Sequence, residues 1–238
     1  MRHARTVWVA ASVARGLPAG RGAHMFDAPR IGARSTMRRL IVCLALALLP
    51  ASLGAQGSTS SATAASLTEA QQIASAVLPL PAEFRADARV LGYRDGGRNL
   101  VGLRNANGAF VCLASDPAAE RFHVACYHRS LEPFMARGRS LRAAGVKGDQ
   151  VDTARFAEIR KGTLVMPKQP AALYSLTGPV GSYDATTNTV TGARALNVIY
   201  IAGATSASTG LSVAPAQGTP WLMFPGTPKA HIMLVPKM

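Results

Sequence analysis

Two cysteines and the strands around them are the first residues whose types and spacing could do chemistry. Cys112 and Cys126 flank a turn at Asp116, and the runs 110–115 and 122–127 have the composition of strands. If the runs pair antiparallel around that turn, the cysteines lie opposite each other. Opposed Cα atoms in such a ladder are about 4.5 to 5.5 Å apart, which suits a disulfide. The sequence therefore predicts a cross-strand Cys112–Cys126 disulfide.

Two other states of these cysteines stay open from the sequence alone. Both can remain thiols that pack in the core as small hydrophobic side chains. Cys112 and Cys126 can also join His128 and His231 as ligands of zinc, because Zn²⁺ accepts cysteine and histidine and because Cys126 and His128 share a strand face. This zinc site needs reduced cysteines, which are rare in an oxidising compartment.

The stretch 221–233 is rich in side chains that bind ligands. It holds Trp221, Phe224, two methionines and His231, and on a strand His231 and Met233 share one face. These residues predict a ligand-binding surface. A thioether beside an imidazole suits copper, so copper is an alternative to zinc. The main prediction includes no cofactor. The competing interpretation is that the aromatic residues fill the core and leave His231 exposed.

Residues suited to hydrolysis are present, but they follow no recognised pattern. The chain has no Gly-x-Ser-x-Gly elbow, no His-Glu-x-x-His, no Ser-x-x-Lys and no Walker loop. Catalytic groups are recognised by geometry rather than by chain order. The candidate set is therefore His231 or His128 as base, Asp184 as orienting acid and Ser208 as nucleophile. The alternative for Ser208 is an ordinary solvated Ser/Thr turn.

Four arginines lie between residues 129 and 142, with Glu132 as the single acidic residue among them. On a helix, Arg139 and Arg142 fall on the side away from the apolar residues and can point to solvent. Together with Arg137 they form a predicted binding face for phosphate, a lipid headgroup or an acidic polymer. The alternative is a solvated helix face whose arginine stems cover apolar surface.

Short apolar runs separated by turn residues predict the scaffold that positions these side chains. Asp-Gly, Asn-Gly and Asp-Pro turns separate four strand-like runs, which is typical of an antiparallel meander: 89–94, 99–104, 110–115 and 122–127. The last third returns to strand composition at 172–176, 196–201 and 232–235. The predicted class is α+β, with a largely antiparallel sheet built from the N-terminal meander and the C-terminal strands.

A few short helices accompany the predicted sheet. Residues 68–71, Thr-Glu-Ala-Gln, have the spacing of a capping box at the start of the first helix. Pro133 suits the first turn of a second helix. Asp152 is the predicted N-cap of a third, in which Phe156 and Ile159 share a face.

Residues 37–55 have the three parts of a secretory signal peptide. Arg38 and Arg39 precede ten apolar residues, 40–49, and small residues up to Ala55 follow. Ten helical residues span about 15 Å, half of the roughly 30 Å hydrocarbon core of a bilayer, so the segment is too short for an ordinary membrane span. We predict cleavage after Ala55, export to the periplasm or the medium, and no transmembrane anchor in the cleaved protein.

The remaining organisation follows from composition. Residues 1–36 are predicted to be a misassigned start or an unstructured extension, residues 56–66 a flexible linker, and residues 67–238 a single globular domain. The chain carries a net charge of +14, but eight of its 26 basic residues and one of its 12 acidic residues lie in residues 1–55. The exported part therefore carries +7.

The sequence thus predicts an exported domain that binds a small ligand or an envelope partner rather than catalysing a reaction. Nucleic acid is not an expected partner, because export argues against it and no nucleic-acid motif is present. The alternative is an extracytoplasmic hydrolase, or a copper- or zinc-binding protein, that uses His231 or His128. A pocket uniting either histidine with a carboxylate or hydroxyl would favour the enzyme.

Overall fold

An eight-stranded sheet dominates the computed structural model, which describes residues 67–236. The strands in chain order are β1 (Arg89–Gly92), β2 (Val101–Arg104), β3 (Phe110–Leu113), β4 (Arg121–His128), β5 (Ala171–Pro179), β8 (Arg194–Tyr200), β9 (Trp221–Met223) and β10 (His231–Leu234). A separate two-stranded ribbon pairs β6 (Tyr183–Asp184) with β7 (Thr189–Val190). The order across the large sheet is β2-β1-β3-β4-β5-β8-β10-β9. All neighbours run antiparallel except β1 and β3, so the α+β class is confirmed.

The position of β3 departs from a simple meander. It pairs with β1 in parallel and leaves β2 at the edge of the sheet. Burial explains the order, because Phe110, Val111 and Cys112 of β3 are all buried whereas no residue of β2 is. An apolar strand gains more from an interior position than a half-exposed one does.

Within residues 67–236, four short α-helices accompany the sheet: α1 (Glu69–Ala76), α2 (Glu132–Ala143), α3 (Gln150–Arg160) and α4 (Ser206–Thr209). The capping box of α1 is confirmed, since Thr68 and Gln71 exchange hydrogen bonds of 2.9 and 3.3 Å. The predicted N-cap of α3 is wrong, because the helix begins at Gln150 and Asp152 lies in its first turn. There the carboxylate accepts a 2.7 Å bond from Lys229 Nζ instead. No helix within residues 67–236 combines the length and apolar character needed to cross a membrane.

The sheet has a hydrophobic core on each face. On one face α1 covers the first strands, with Leu80, Val90 and Cys112 fully buried among its neighbours. On the other face α2 and the turn before it cover Val111 and Tyr127. The two helices α2 and α3 pack against each other on this second face. The N-terminal half of the sheet is therefore covered on both faces.

The predicted disulfide is confirmed. Cys112 faces Cys126 across β3 and β4, with 4.0 Å between the Cα atoms, and the two sulfurs are bonded. Both residues are fully buried. A cross-link between positions 14 residues apart stabilises the fold by about 3 kcal/mol, chiefly by restricting the unfolded chain.

Candidate ligand-binding site

A cleft of about 280 Å³ opens at the end of the sheet where β1 and β3 finish and β4 begins. We call it the aromatic cleft. Its principal lining residues combine aromatic rings with charged groups: Tyr93, Asp95, Asp116, Arg121, Phe122 and Tyr183. They come from three turns and one strand end that lie far apart in the sequence. The sheet order is what brings them together.

The turn after β1 places Asp95 at the rim of the aromatic cleft. Asp95 and Gly96 both have positive φ, +53° and +68°, and Gly97 N–H donates a 2.8 Å bond to Arg94 O. Positive φ at both central positions is the geometry of a tight hairpin turn, which favours Asp-Gly. The Asp-Gly pair therefore fixes both the turn and the position of the carboxylate.

Helix α1 holds the neighbouring aromatic residue. The Gln72 side chain donates to Tyr93 O at 2.9 Å and accepts from Tyr93 N–H at 2.8 Å. The Gln72 side chain thus forms the two backbone hydrogen bonds that a neighbouring strand would otherwise form with Tyr93. On the opposite wall the rings of Phe122 and Tyr183 stack at 6.1 Å with an interplanar angle of 9°. Aromatic walls of the cleft are thus fixed from both sides.

The lining of the aromatic cleft has a negative net charge, whereas the domain as a whole has a positive one. Its lining carries the carboxylates of Asp95 and Asp116 and the guanidinium of Arg121, an excess of one negative charge. Burial raises the pKa of Tyr93, and the charge of Asp116 raises it further. Burial and Asp184 likewise raise the pKa of Tyr183. Both phenols therefore stay neutral, and the lining keeps its excess of one negative charge.

The residues predicted from the C-terminal stretch come together, but mainly in packing. Met233 lies opposite Trp221 on the adjacent strand. His231 is buried rather than exposed, with its ring 4.9 Å from that of Tyr200 and 5.6 Å from that of Phe224. The exposed His231 of the competing interpretation is therefore wrong, because aromatic rings enclose it. The Trp221 indole N–H is buried without an acceptor among residues 67–236, and a role of this surface in binding stays a prediction.

The predicted arginine face is divided between internal contacts and solvent. Arg137 forms an ion pair with Glu158 at 2.6 Å, and Arg139 forms one with Glu132 at 2.8 Å. Arg139 is thus half-buried and partnered rather than turned to solvent. Arg142 is exposed and has no ion pair or hydrogen bond through its side chain within the described part of the chain. Any binding by this helix face therefore depends mostly on Arg142.

The four candidate catalytic residues lie in separate places. His128 Nδ1 lies 2.8 Å from Ser130 Oγ, whereas His231 Nδ1 lies 2.7 Å from Lys229 O. The strands β4 and β10 that carry the histidines are separated by β5 and β8. The two side chains also project from opposite faces of the sheet, because His128 pairs with Phe110 and His231 with Tyr200.

The other two candidates serve local structure. Ser208 Oγ accepts from Thr205 N–H at 2.9 Å and completes a capping box of α4. Asp184 accepts from Thr186 N–H at 2.8 Å and from Thr187 Oγ1 at 2.9 Å. In residues 67–236 no hydrogen bond joins any two of the four candidates.

The zinc set considered from the sequence does not assemble. Cys112 and Cys126 are bonded to each other, so neither offers a thiolate. The histidines that would complete the set lie on opposite faces of the sheet. Over the described residues no group of three or more His, Cys, Asp or Glu side chains converges for a metal.

Sequence reasoning did not select the residues of the aromatic cleft. A signal for two of them was present, because Tyr93 directly precedes the Arg94–Gly97 turn and Phe122 closely follows the turn at Asp116. The third aromatic residue, Tyr183, lies in the β6–β7 ribbon, whose two-residue strands are too short to give a periodic pattern.

Comparison with known proteins gives no further guide to this site. No family model, curated protein or solved structure matches the chain. Only the geometry and charge of the described residues therefore indicate a function.

Proposed function

We propose that this chain is an exported, disulfide-bonded domain that binds a small organic cation in the aromatic cleft and acts by binding rather than by catalysis. The observation that carries the proposal is the combination of aromatic rings with the carboxylates of Asp95 and Asp116. Aromatic faces attract cations, and carboxylates accept strong hydrogen bonds from ammonium groups. A buried disulfide supports export, since disulfides persist in oxidising compartments.

The size of the cleft indicates the class of ligand. Ligand pockets usually span about 300 to 1,000 Å³, and the aromatic cleft, at about 280 Å³, lies just below that range. An amine with one ring fits this volume. The ring would lie against Tyr93 or Tyr183, and the ammonium group would reach the rim carboxylates.

The test is calorimetric titration of the full chain with tyramine, an aromatic amine. We expect saturable binding to one site. Asp95→Asn and Asp116→Asn together should weaken it at least about tenfold, because each removes a charge-assisted hydrogen bond. Asn keeps the acceptor that Ala118 N–H uses at position 116, so the turn is preserved. Asp149→Asn is the matched control, since Asp149 is exposed at the start of α3 outside the cleft.

A second ligand separates charge recognition from ring recognition. Para-hydroxyphenylacetate carries the same ring as tyramine with a carboxylate in place of the aminomethyl group, and it should not compete with tyramine for the cleft. Equal binding of the two compounds at this site, or tyramine binding that survives the double substitution, would contradict the proposal.

A further inference from the structure

We propose that a second site, at the opposite end of the sheet from the aromatic cleft, binds a small oxyanion group, a carboxylate or a phosphate. This basic cavity has a volume of about 370 Å³, and its lining residues are Arg89, Asn105, Ala106, Asn107, Val111, Arg129 and Glu132. Arg89 is the first residue of β1, whereas the aromatic cleft begins directly after the last. The site is independent of the function proposed above.

Two guanidinium groups with spare donors face this cavity. Arg89 is half-buried, and its side chain has no ion pair or hydrogen bond among the residues that the structure describes. Arg129 follows β4, where its backbone N–H donates to Ala109 O at 2.7 Å and its Nη2 donates to Ala106 O at 3.0 Å. A guanidinium has five N–H donors. Most donors of both arginines therefore remain available to a ligand.

The carboxylate in the lining does not neutralise these arginines, because it is already engaged. Glu132 Oε1 accepts from Arg139 Nη2 at 2.8 Å, and Glu132 Oε2 accepts from the Tyr127 hydroxyl. Arg139 Nη1 also donates to that hydroxyl at 2.7 Å. Arg139 thus offsets the charge of Glu132, and the charges of Arg89 and Arg129 remain for an incoming anion.

The remaining lining groups suit an oxyanion. The side-chain amides of Asn105 and Asn107 add N–H donors at the mouth of the cavity, and Val111 forms an apolar part of its wall. Planar guanidinium groups match the paired oxygens of carboxylate and phosphate and bind them through two parallel hydrogen bonds. The set of donors therefore recognises the oxyanion, whatever molecule carries it.

The experiment titrates the full chain with inorganic phosphate and, separately, with succinate, at constant ionic strength. We expect saturable binding of at least one anion at one site, and the tighter of the two identifies the oxyanion recognised. Arg89→Gln should weaken that binding about tenfold or more, since it removes a charge-assisted hydrogen bond. Arg129→Gln should do the same, and Arg129→Lys, which keeps the charge, should restore part of the loss.

The matched control is Arg160→Gln, which removes an exposed arginine at the end of α3 outside the cavity. It should leave phosphate and succinate affinity unchanged. Because Arg89 has no partner to lose, Arg89→Gln keeps the fold and carries the test even if a substitution at Arg129 does not fold. Equal weakening by the control, or no saturable binding of either anion, would overturn the proposal. Tyramine binding should be unaffected by Arg89→Gln. The tyramine and anion titrations therefore test the two proposed sites independently.

Discussion

Burial determines the protonation state of His231. The side chain lies between the rings of Tyr200 and Phe224 and is 5% exposed. Burial lowers the pKa of His231, its hydrogen bond to Lys229 O opposes that shift, and the charge of Lys229 lowers the pKa again. The folded protein therefore prefers the neutral imidazole, and protonation favours the unfolded chain.

The pH dependence of stability follows from this preference. Because the folded pKa of His231 is lowered, its contribution is complete above the ordinary histidine pKa of 6.5 and is lost as the pH falls below that value. His231→Asn should reduce this loss, since Asn has an amide donor near the position of Nδ1 and does not titrate. Urea unfolding midpoints at a series of pH values measure it.

Asp152 titrates in a different range and does not obscure the result. Burial disfavours ionisation of Asp152, but hydrogen bonds from Lys229 and Arg155 outweigh it and hold the pKa of Asp152 below its usual value of 3.8. Its contribution is therefore lost only at lower pH than the histidine effect. An unchanged slope near pH 6.5 in His231→Asn would contradict the assignment.

Between elements, one carboxylate joins helix α3 to the segment that precedes β10. Asp152 binds Lys229 Nζ at 2.7 Å and also pairs with Arg155. Arg155 is 4% exposed, and its guanidinium lies 3.7 Å from the centre of the Phe134 ring on α2. A buried positive charge therefore depends on Asp152 for its partner.

Removal of that partner should be costly. Asp152→Ala leaves Arg155 buried and uncompensated, which typically destabilises a fold by about 3 to 5 kcal/mol. Urea unfolding measures the change. Glu69→Ala, which breaks the exposed pair with Arg94 on α1, is the control and should have a much smaller effect. Arg155→Met in the Asp152→Ala background should recover part of the loss, and equal destabilisation by the two single variants would argue against this account.

Features of the helices that depend on neighbouring residues were predicted from the sequence. Packing between residues far apart in the chain explains where the structure differs from the prediction. The capping box at Thr68 and the place of Pro133 in the first turn of α2 depend on a few neighbouring residues, so the sequence was sufficient for both. Asp is a residue type that often caps helices, but Asp152 binds a residue 77 positions away in the chain. The buried face of α3 is likewise Val151 and Arg155 rather than Phe156 and Ile159, because Phe134 of a different helix accepts the guanidinium.

For the whole molecule, the sheet order decides which residues form a site. The register of β3 against β4 follows from a single turn, and the disulfide could therefore be predicted. The aromatic cleft needs Tyr93, Asp116 and Tyr183 to meet, and they meet because β1 lies beside β3 and the β6–β7 ribbon follows β5. That arrangement has no local signal. The same order places Arg89 and Arg129 together at the other end, so the two cavities have linings of opposite net charge.

Export is the remaining prediction for the whole chain, and it follows from the sequence of residues 37–55. Cleavage after Ala55 would remove about half of the +14 net charge, so the cleaved protein would carry +7. Intact-mass and N-terminal analysis of the exported protein should give Gln56 as the first residue.

Replacement of one apolar residue provides the control for export. Leu46→Arg places a charge in the middle of the ten apolar residues 40–49 and should abolish export, because the segment must enter an apolar environment. Leu46→Ala shortens the same side chain without adding charge and should be exported normally. A mature protein that retains residues 40–49, or export unaffected by Leu46→Arg, would contradict the signal peptide. In either case the aromatic cleft would have to be considered as a site on a protein that is not exported by this route.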